Sequence, residues 1–169
     1  MKIYIASSFR NLNAVNLLRS YLEDSGHTVL DWAAYAPPLP ANMPLEERRR
    51  VLDGDDRGDI FAFCKAACTS ADLVIYLGPA GQDAAAEVGI AYSAGVPVLG
   101  LSGPLEAPGL ILTRCVYRWV KDTAELFVAV AELVEPKREA EPVTTAKKAL
   151  GELGQIFDEA GILYKNFPD

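Results

Sequence analysis

One carboxylate stands in a stretch of sequence that is otherwise apolar or small. Glu87 is the only charged residue between positions 84 and 95. In a helix its neighbours at i−3, i+3 and i+4 are Ala84, Ile90 and Ala91, so its face should pack against other residues. Burying a carboxylate costs several kcal/mol unless it is paired or hydrogen-bonded. We therefore expect Glu87 to serve chemistry of the kind that carboxylates perform in active sites.

A purely structural role for Glu87 is the alternative. The helix dipole favours an acidic residue in the first turn of a helix by about 0.3 to 1 kcal/mol. A capping box does not explain the residue, because with Asp83 as N-cap the reciprocal glutamate would stand at position 86, which is alanine. The dipole explanation stays open at this point.

Short β-branched runs alternate with helical patterns along the chain, which is typical of a parallel sheet covered on both faces. Asp59 is a candidate N-cap of the second helix. The predicted fold class is α/β, with a doubly wound, flavodoxin-like sheet of five parallel strands. The strands are predicted over residues 2–6, 28–32, 72–77, 96–101 and 115–120, and the helices over residues 11–25, about 59–67, 84–94 and 123–135.

Ligands of such sheets bind beyond the carboxyl ends of the strands. Polar, aromatic and glycine residues follow the first three predicted strands, and four prolines between positions 37 and 44 predict an irregular loop at the rim of the site. The candidate binding residues at these strand ends are Ser7, Ser8, Phe9, Arg10, Trp32, Gly78, Gly81 and Asp83.

The chain length and the small size of the C-terminal segment predict one main domain. Residues 1–135 contain all the predicted strands. A charged, proline-containing linker begins at position 136, and an added C-terminal helix is predicted over residues 144–160. Because this tail is too small for a domain, we expect it to pack on the same one.

Composition excludes several classes of partner. The net charge of −7 argues against a nucleic-acid backbone footprint, and no apolar run approaches the roughly 20 residues that span a bilayer. The N-terminus lacks the apolar core of a secretory signal, so a cytoplasmic location is expected. Cys64, Cys68 and Cys115 are an odd set beside a single histidine, which favours buried free thiols over a metal site. A small-molecule ligand is the expected partner.

Several motifs, taken in order, resemble one enzyme family. They are the opening Ile3-Tyr4-Ile5-Ala6-Ser7, the strand at residues 71–77, the run from Gly81-Gln82-Asp83 through three alanines to Glu87-Val88-Gly89-Ile90-Ala91, and the segment Ala94-Gly95-Val96-Pro97-Val98. Together they resemble the nucleoside 2-deoxyribosyltransferase family over residues 1–101, and Glu87 falls on that family's catalytic glutamate.

The resemblance implies a reaction and a site. A glutamate of the family attacks the anomeric carbon of a deoxynucleoside, expels the base, and leaves a covalent deoxyribosyl-enzyme that a second base or water resolves. It implies Glu87 as the nucleophile, Tyr4 as the residue that orients it, no metal and no cofactor, a nucleoside or nucleotide as ligand, and a homo-oligomer. Asp83 either binds a sugar hydroxyl or caps the helix. Phe9 and Trp32 either sandwich the base or belong to the core. Gly78 and Gly81 either let backbone approach the ligand or make tight turns.

Two positions depart from the family pattern. Cys64 stands where the family commonly has an aspartate on the helix before the third strand. The asparagine that the family contributes to a neighbouring subunit's site has no clear counterpart near residues 117–119. These departures concern the sugar contact and the subunit assembly rather than the fold.

Two other functions remain open from the sequence. The segment Ser7-Ser8-Phe9-Arg10 resembles the related nucleoside 5′-monophosphate N-glycosidases, in which hydroxyls, helix-start amides and a guanidinium would hold a phosphate. The same serines could simply cap the first helix, with Arg10 solvated. A nucleotide-sensing module that keeps the pocket without the chemistry is the other alternative, and Cys64 is its best support.

Overall fold

The computed structural model describes residues 1–35, 38–40, 42–54 and 58–134 of the chain. Its sheet has five parallel strands in the order β2-β1-β3-β4-β5. This is the doubly wound, flavodoxin-like arrangement that the sequence predicts. The strands are β1 (Lys2–Ala6), β2 (Thr28–Leu30), β3 (Leu73–Leu77), β4 (Val98–Leu101) and β5 (Arg118–Val120).

Six α-helices accompany the sheet in the described part of the chain, and short 3₁₀ turns follow β1 and β2 at Phe9–Asn11 and Trp32–Ala34. The helices α3 and α4 pack on each other and on β1, whereas α1 and α6 meet through a stack of Tyr21 on Phe127. The helices are α1 (Leu12–Asp24), α2 (Leu45–Leu52), α3 (Gly58–Ser70), α4 (Gln82–Ser93), α5 (Leu110–Cys115) and α6 (Thr123–Val134).

The strand β3 forms the centre of the core. All five of its residues are buried, as the nearly continuous apolar run predicts. The chain leaves β1 for β2 on one side, and β3 lies on the other side of β1. The carboxyl ends of β1 and β3 therefore flank the point where the winding of the sheet reverses, which is the usual place for a ligand crevice.

Several predicted boundaries are wrong. The strand β2 ends at Leu30, because the Asp31 side chain accepts a hydrogen bond from the Ala33 N–H and starts a 3₁₀ turn. The strand β5 begins only at Arg118, because helix α5 occupies the residues before it. Neither α2 nor α5 is among the predicted helices.

Neither of the two acidic residues considered as helix caps stands at an N-cap position. Helix α4 begins at Gln82 with Gly81 as its N-cap, so Asp83 is the second helical residue and does not cap. Helix α3 begins at Gly58, which places Asp59 inside its first turn.

The compact unit that contains the sheet runs from Met1 to Ala131, and the second unit, Glu132–Asp169, is described only as far as the end of α6. The predicted linker and the helix over residues 144–160 lie outside the described residues, so the domain boundary at 135 stays a prediction. Every described helix is too short or too polar to traverse a bilayer.

Candidate active site

Glu87 occupies the second turn of α4, where its side chain meets Tyr4 of β1. It is the sixth residue of the helix, beyond the first turn in which the helix dipole acts most strongly. The phenol of Tyr4 donates a hydrogen bond of 2.7 Å to its Oε1. Tyr4 itself is fully buried in the middle of β1, so the strand fixes the donor in place. The helix dipole alone therefore does not explain why a glutamate stands at position 87.

Burial dominates the protonation of Glu87. Desolvation raises the pKa of its carboxyl from 4.5 to about 7, against hydrogen bonds from Tyr4 and Cys64 that lower it. The charge of Asp83, one turn earlier, raises the pKa further. The two hydrogen bonds thus offset the effect of burial on the pKa only in part. Near neutral pH the residue therefore exists in both charge states.

Cys64 completes the surroundings of this carboxyl. It lies on α3 beside Glu87, and a hydrogen bond from its thiol is one cause that lowers the pKa of that carboxyl. Desolvation is the main cause that raises the pKa of the thiol, so Cys64 keeps its proton and donates it towards the carboxylate. The phenol of Tyr4 also keeps its proton, because burial and the nearby Glu87 raise its pKa strongly. Glu87 is thus held between two neutral donors.

A cavity of about 490 Å³ opens beside Glu87 at the carboxyl ends of the strands. Three helices supply its walls with residues at i, i+3 or i+4 spacing, so each helix presents one face to the same space. The remaining wall comes from the segment after β1, the 3₁₀ turn after β2, Leu39 of the proline-rich loop and Gly81 just before α4. The lining residues are Ser7, Ser8, Phe9, Trp32, Leu39, Arg48, Leu52, Ile60, Phe61, Cys64, Lys65, Gly81, Asp83, Ala84, Ala86, Glu87 and Ile90.

The predicted serines line the cavity and also hold the fold together. Ser7 donates to the carbonyl of Leu77 at 2.7 Å and so ties the ends of β1 and β3. Ser8 accepts the N–H of Arg10 at 3.2 Å and caps the 3₁₀ turn. The side chain of Arg10 is exposed and is not among the lining residues. The structure therefore brings the two hydroxyls to the cavity, but not the guanidinium.

The predicted aromatic pair meets at the cavity wall. Phe9 and Trp32 contact edge to face, with ring centroids 4.8 Å apart. Trp32 is only 7% exposed, and its indole N–H donates to the Ile5 carbonyl at 2.8 Å. Both rings face the cavity as one apolar wall, and the two rings do not stand parallel around an open slot.

The two predicted glycines have different surroundings. Gly81 lines the cavity at the start of α4, and nothing approaches the space where a Cβ would stand. A Cβ on Gly78 would instead overlap the carboxylate of Glu106 and lie 3.0 Å from the Gly103 N. The close approach at Gly78 is therefore to the loop after β4 rather than to the cavity.

Sequence reasoning missed two cations of the cavity wall. Arg48 reaches it from α2 and Lys65 from α3. In the sequence, Arg48 is marked only by its place in a basic run after the proline-rich loop. Lys65 is marked only by being next to Cys64. Among the described residues, no cluster of three histidine, cysteine or acidic side chains could hold a metal ion.

The sequence matches no protein-family profile and no curated protein. Solved structures do match. A 2-deoxyribosyltransferase from the psychrotolerant bacterium Bacillus psychrosaccharolyticus is 26% identical, with a TM-score of 0.53 over 75% of this chain and 90% of that chain.

Two further structures share the fold. A CMP N-glycosidase from Clostridium botulinum is 14% identical, with a TM-score of 0.50 over 78% of this chain and 99% of that one. A conserved protein from Enterococcus faecalis V583 is 17% identical, with a TM-score of 0.53 over 78% and 98%. The structural neighbours thus confirm the resemblance to the nucleoside 2-deoxyribosyltransferase family that the sequence motifs indicate.

Proposed function

We propose that this protein cleaves the N-glycosidic bond of a nucleoside or deoxynucleoside, with Glu87 as the nucleophile, and transfers the sugar to a second base. One observation carries the proposal. The Glu87 carboxyl, oriented by the Tyr4 hydroxyl at 2.7 Å, lines a cavity at the reversal point of a parallel sheet. One structural neighbour is a 2-deoxyribosyltransferase and another is a CMP N-glycosidase, which agrees with glycosyl transfer or cleavage.

The reaction divides into two displacements at the same carbon. In the first, an oxygen of Glu87 bonds to C1′ while the C1′–N bond breaks and its electron pair leaves with the base, which takes up a proton. In the second, a nitrogen of the incoming base bonds to C1′, the ester to Glu87 breaks, and the incoming nitrogen loses its proton. Each step inverts C1′, so the product retains the original configuration. A covalent intermediate replaces one difficult displacement with two easier ones.

The surroundings of Glu87 suit the nucleophilic role. Only the ionised carboxylate can attack, and its pKa of about 7 leaves a substantial ionised fraction at neutral pH. The Tyr4 hydroxyl fixes one oxygen and leaves the carboxylate little rotational freedom. A pKa near the working pH also keeps the carboxylate more basic, and hence a better nucleophile, than a solvated glutamate.

The cavity suits a nucleoside in size and character. Its volume of about 490 Å³ falls within the range of about 300 to 1,000 Å³ that is usual for small-molecule sites. Phe9, Trp32 and Ile90 offer apolar surface for a base, whereas Asp83 and Glu87 offer oxygens for sugar hydroxyls. Water in place of the second base would give hydrolysis by the same first step.

Product analysis with and without an acceptor base tests the proposal. Deoxynucleosides and deoxynucleotides are incubated with the wild type, and released and exchanged bases are followed chromatographically. Exchange should require the added base, and Glu87→Gln should lower the rate by at least about 10³-fold. The matched control, Glu47→Gln, removes an exposed glutamate of α2 and should keep the wild-type rate.

Each outcome of that experiment has a meaning. Base release without exchange would assign a hydrolase rather than a transferase. Undiminished turnover in Glu87→Gln would remove the nucleophile, and binding without any turnover would leave a sensing module. A homo-oligomer and a cytoplasmic location stay predictions of the sequence.

A further inference from the structure

Two basic side chains line the cavity on the walls that α4 does not form. Arg48 is half-buried on α2, and Leu52, one turn later on the same helix face, also lines the cavity. Lys65 lies on α3 one turn after Phe61, which is another lining residue. On each helix, the basic residue and the apolar lining residue therefore lie on the same face, and that face lines the cavity.

The charges of the cavity are divided between its walls. Asp83 and Glu87, the two lining carboxylates, both belong to α4, and the two cations belong to α2 and α3. No ion pair within 4.0 Å joins a cation to either carboxylate, and in the described part of the chain neither Arg48 nor Lys65 forms any other salt bridge.

Three arginines of the described chain form salt bridges, whereas Arg10, Arg50 and Arg114, like Arg48, form none with the described residues. Arg19 pairs with Asp31, and Arg49, the next residue along α2, pairs with Glu46 at 3.0 Å. The whole chain carries a net charge of −7, so acidic partners for a cation are plentiful. Arg48 and Lys65 line a cavity and have no acidic partner among the described residues, so they are available to an anionic ligand.

We propose that Arg48 and Lys65 bind a phosphate group of the substrate, so that the protein acts on nucleoside monophosphates in preference to nucleosides. The inference rests on the proposed function, because the sugar of the bound nucleotide must present C1′ to Glu87. A guanidinium can hold two phosphate oxygens with parallel hydrogen bonds, and an ammonium adds a compact charge. The phosphate would then lie on the cationic wall and the reacting carbon on the carboxylate wall.

This assignment differs from the one the sequence suggests. The motif after β1 points to Arg10, whose side chain does not line the cavity. Ser7 donates its hydroxyl proton to the Leu77 carbonyl, and Ser8 accepts from a backbone N–H. The cations from α2 and α3 are therefore better placed for an anion than the serine loop. A 5′-phosphate and a 3′-phosphate offer the same chemistry, and the experiment separates them.

Calorimetric binding to the Glu87→Gln protein tests the inference without turnover. The probes are deoxycytidine, its 5′-monophosphate and its 3′-monophosphate, each at low and at high salt, followed by the three matching adenine compounds. We expect one of the monophosphates to bind at least about 10-fold more tightly than the nucleoside, because each charge-assisted bond contributes about that factor or more. The advantage should shrink at high salt.

Three charge-removing variants in the Glu87→Gln background locate the site. Arg48→Gln and Lys65→Gln should each lose about 10-fold to 100-fold in monophosphate affinity and little in nucleoside affinity. Arg50→Gln removes the same charge from an exposed position of α2 outside the cavity and should change neither. Equal affinity for nucleoside and monophosphates, or an equal loss in Arg50→Gln, would overturn the inference.

Turnover by the protein with native Glu87 separates the two proposals. If nucleosides and monophosphates are cleaved at the same kcat/KM, the phosphate site is wrong and the glycosyl chemistry stands. If no compound is cleaved but monophosphate binding still depends on Arg48 and Lys65, the chemistry is wrong and the phosphate site stands.

Discussion

At the residue scale, the proposed chemistry depends on which groups around Glu87 carry protons. Tyr4 and Cys64 both hold their protons, because burial raises the pKa of each group. Both therefore donate to the carboxyl, and each donation lowers the pKa of Glu87 while burial raises it to about 7. Removing a donor shifts this balance towards the protonated, unreactive acid.

A Tyr4→Phe variant tests the role of the phenol. The profile of kcat/KM against pH should rise through about 7 in the wild type and level off above it, because only the ionised carboxylate attacks. In Tyr4→Phe the rise should move to higher pH, and kcat/KM at pH 7 should fall about 10-fold with the lost hydrogen bond. A profile that falls in height with no change of midpoint would point to a structural role alone.

Cys64 provides the second half of this test. Cys64→Ser keeps a donor at the same place and should leave the midpoint close to that of the wild type. Cys64→Ala removes the donor and should raise the midpoint, since the thiol bond lowers the pKa of Glu87. Identical midpoints for serine and alanine would show that the thiol does not act through hydrogen bonding.

The residues of the site differ in how far sequence could predict them. Glu87 is conspicuous because its neighbours are small or apolar, and the motif of the first strand adds Tyr4. Cys64 is distinctive in the sequence only because it stands where the family pattern commonly has an aspartate. No sequence pattern marks Arg48 or Lys65, because basic residues are common on protein surfaces. Their position in the cavity wall depends on how helices distant in sequence pack around one cavity.

At the element scale, the strands were predictable where burial is complete. The apolar run of β3 matches its position at the centre of the sheet. The helices α2 and α5 were missed because they are short, with eight and six residues, and bury none of them fully. Without a buried stripe they have no periodic apolar pattern to detect. One of these missed helices, α2, carries Arg48 and Leu52 into the cavity wall.

Two glycines provide a matched test of how tightly the elements pack. A Cβ on Gly100 in β4 would lie 2.6 Å from Cε3 of Trp119 and 2.9 Å from Cγ1 of Val116. Gly100→Ala should therefore lower the free energy of unfolding by about 1 to 3 kcal/mol. Gly89 lies within α4 with nothing near its Cβ position, so Gly89→Ala should raise it by about 0.5 to 1 kcal/mol. Urea unfolding measures both changes, and equal effects of the same sign would contradict this view of the packing.

At the scale of the whole molecule, the sheet order creates the site. Residues far apart in sequence meet because β1 and β3 are neighbours and their carboxyl ends point the same way. The alternation of strands and helices was sufficient to predict this class of fold and the edge of the sheet at which the cavity lies. It could not predict the shape of the cavity, which depends on how α2, α3 and α4 pack around that edge.

The buried carboxyl also links the stability of the whole fold to pH. Folding raises the pKa of Glu87 from 4.5 to about 7, so the folded state binds this proton more tightly than the unfolded chain does. The contribution is stabilising below pH 4.5 and is lost as the pH rises through about 7, by at most on the order of 3 kcal/mol. Relative to the wild type, Glu87→Gln should gain stability progressively between pH 5 and pH 8.

Urea unfolding across that pH range, with Glu23→Gln as an exposed control, measures this linkage. The free energy of unfolding of the Glu23→Gln control should change with pH in the same way as that of the wild type. A constant difference between Glu87→Gln and the wild type at all pH values would mean that the carboxyl titrates alike in both states.

The most direct measurement of the central claim is the mass of the enzyme during turnover. A 2′-fluoro-2′-deoxynucleoside slows both displacements, because fluorine disfavours the positive charge that develops at C1′. After incubation and rapid acid quench, mass spectrometry of the intact protein and of its peptides should show one added fluorodeoxyribosyl group on the peptide that contains Glu87. Base release from this compound by an enzyme that stays unlabelled, or a label on a different residue, would contradict Glu87 as the nucleophile.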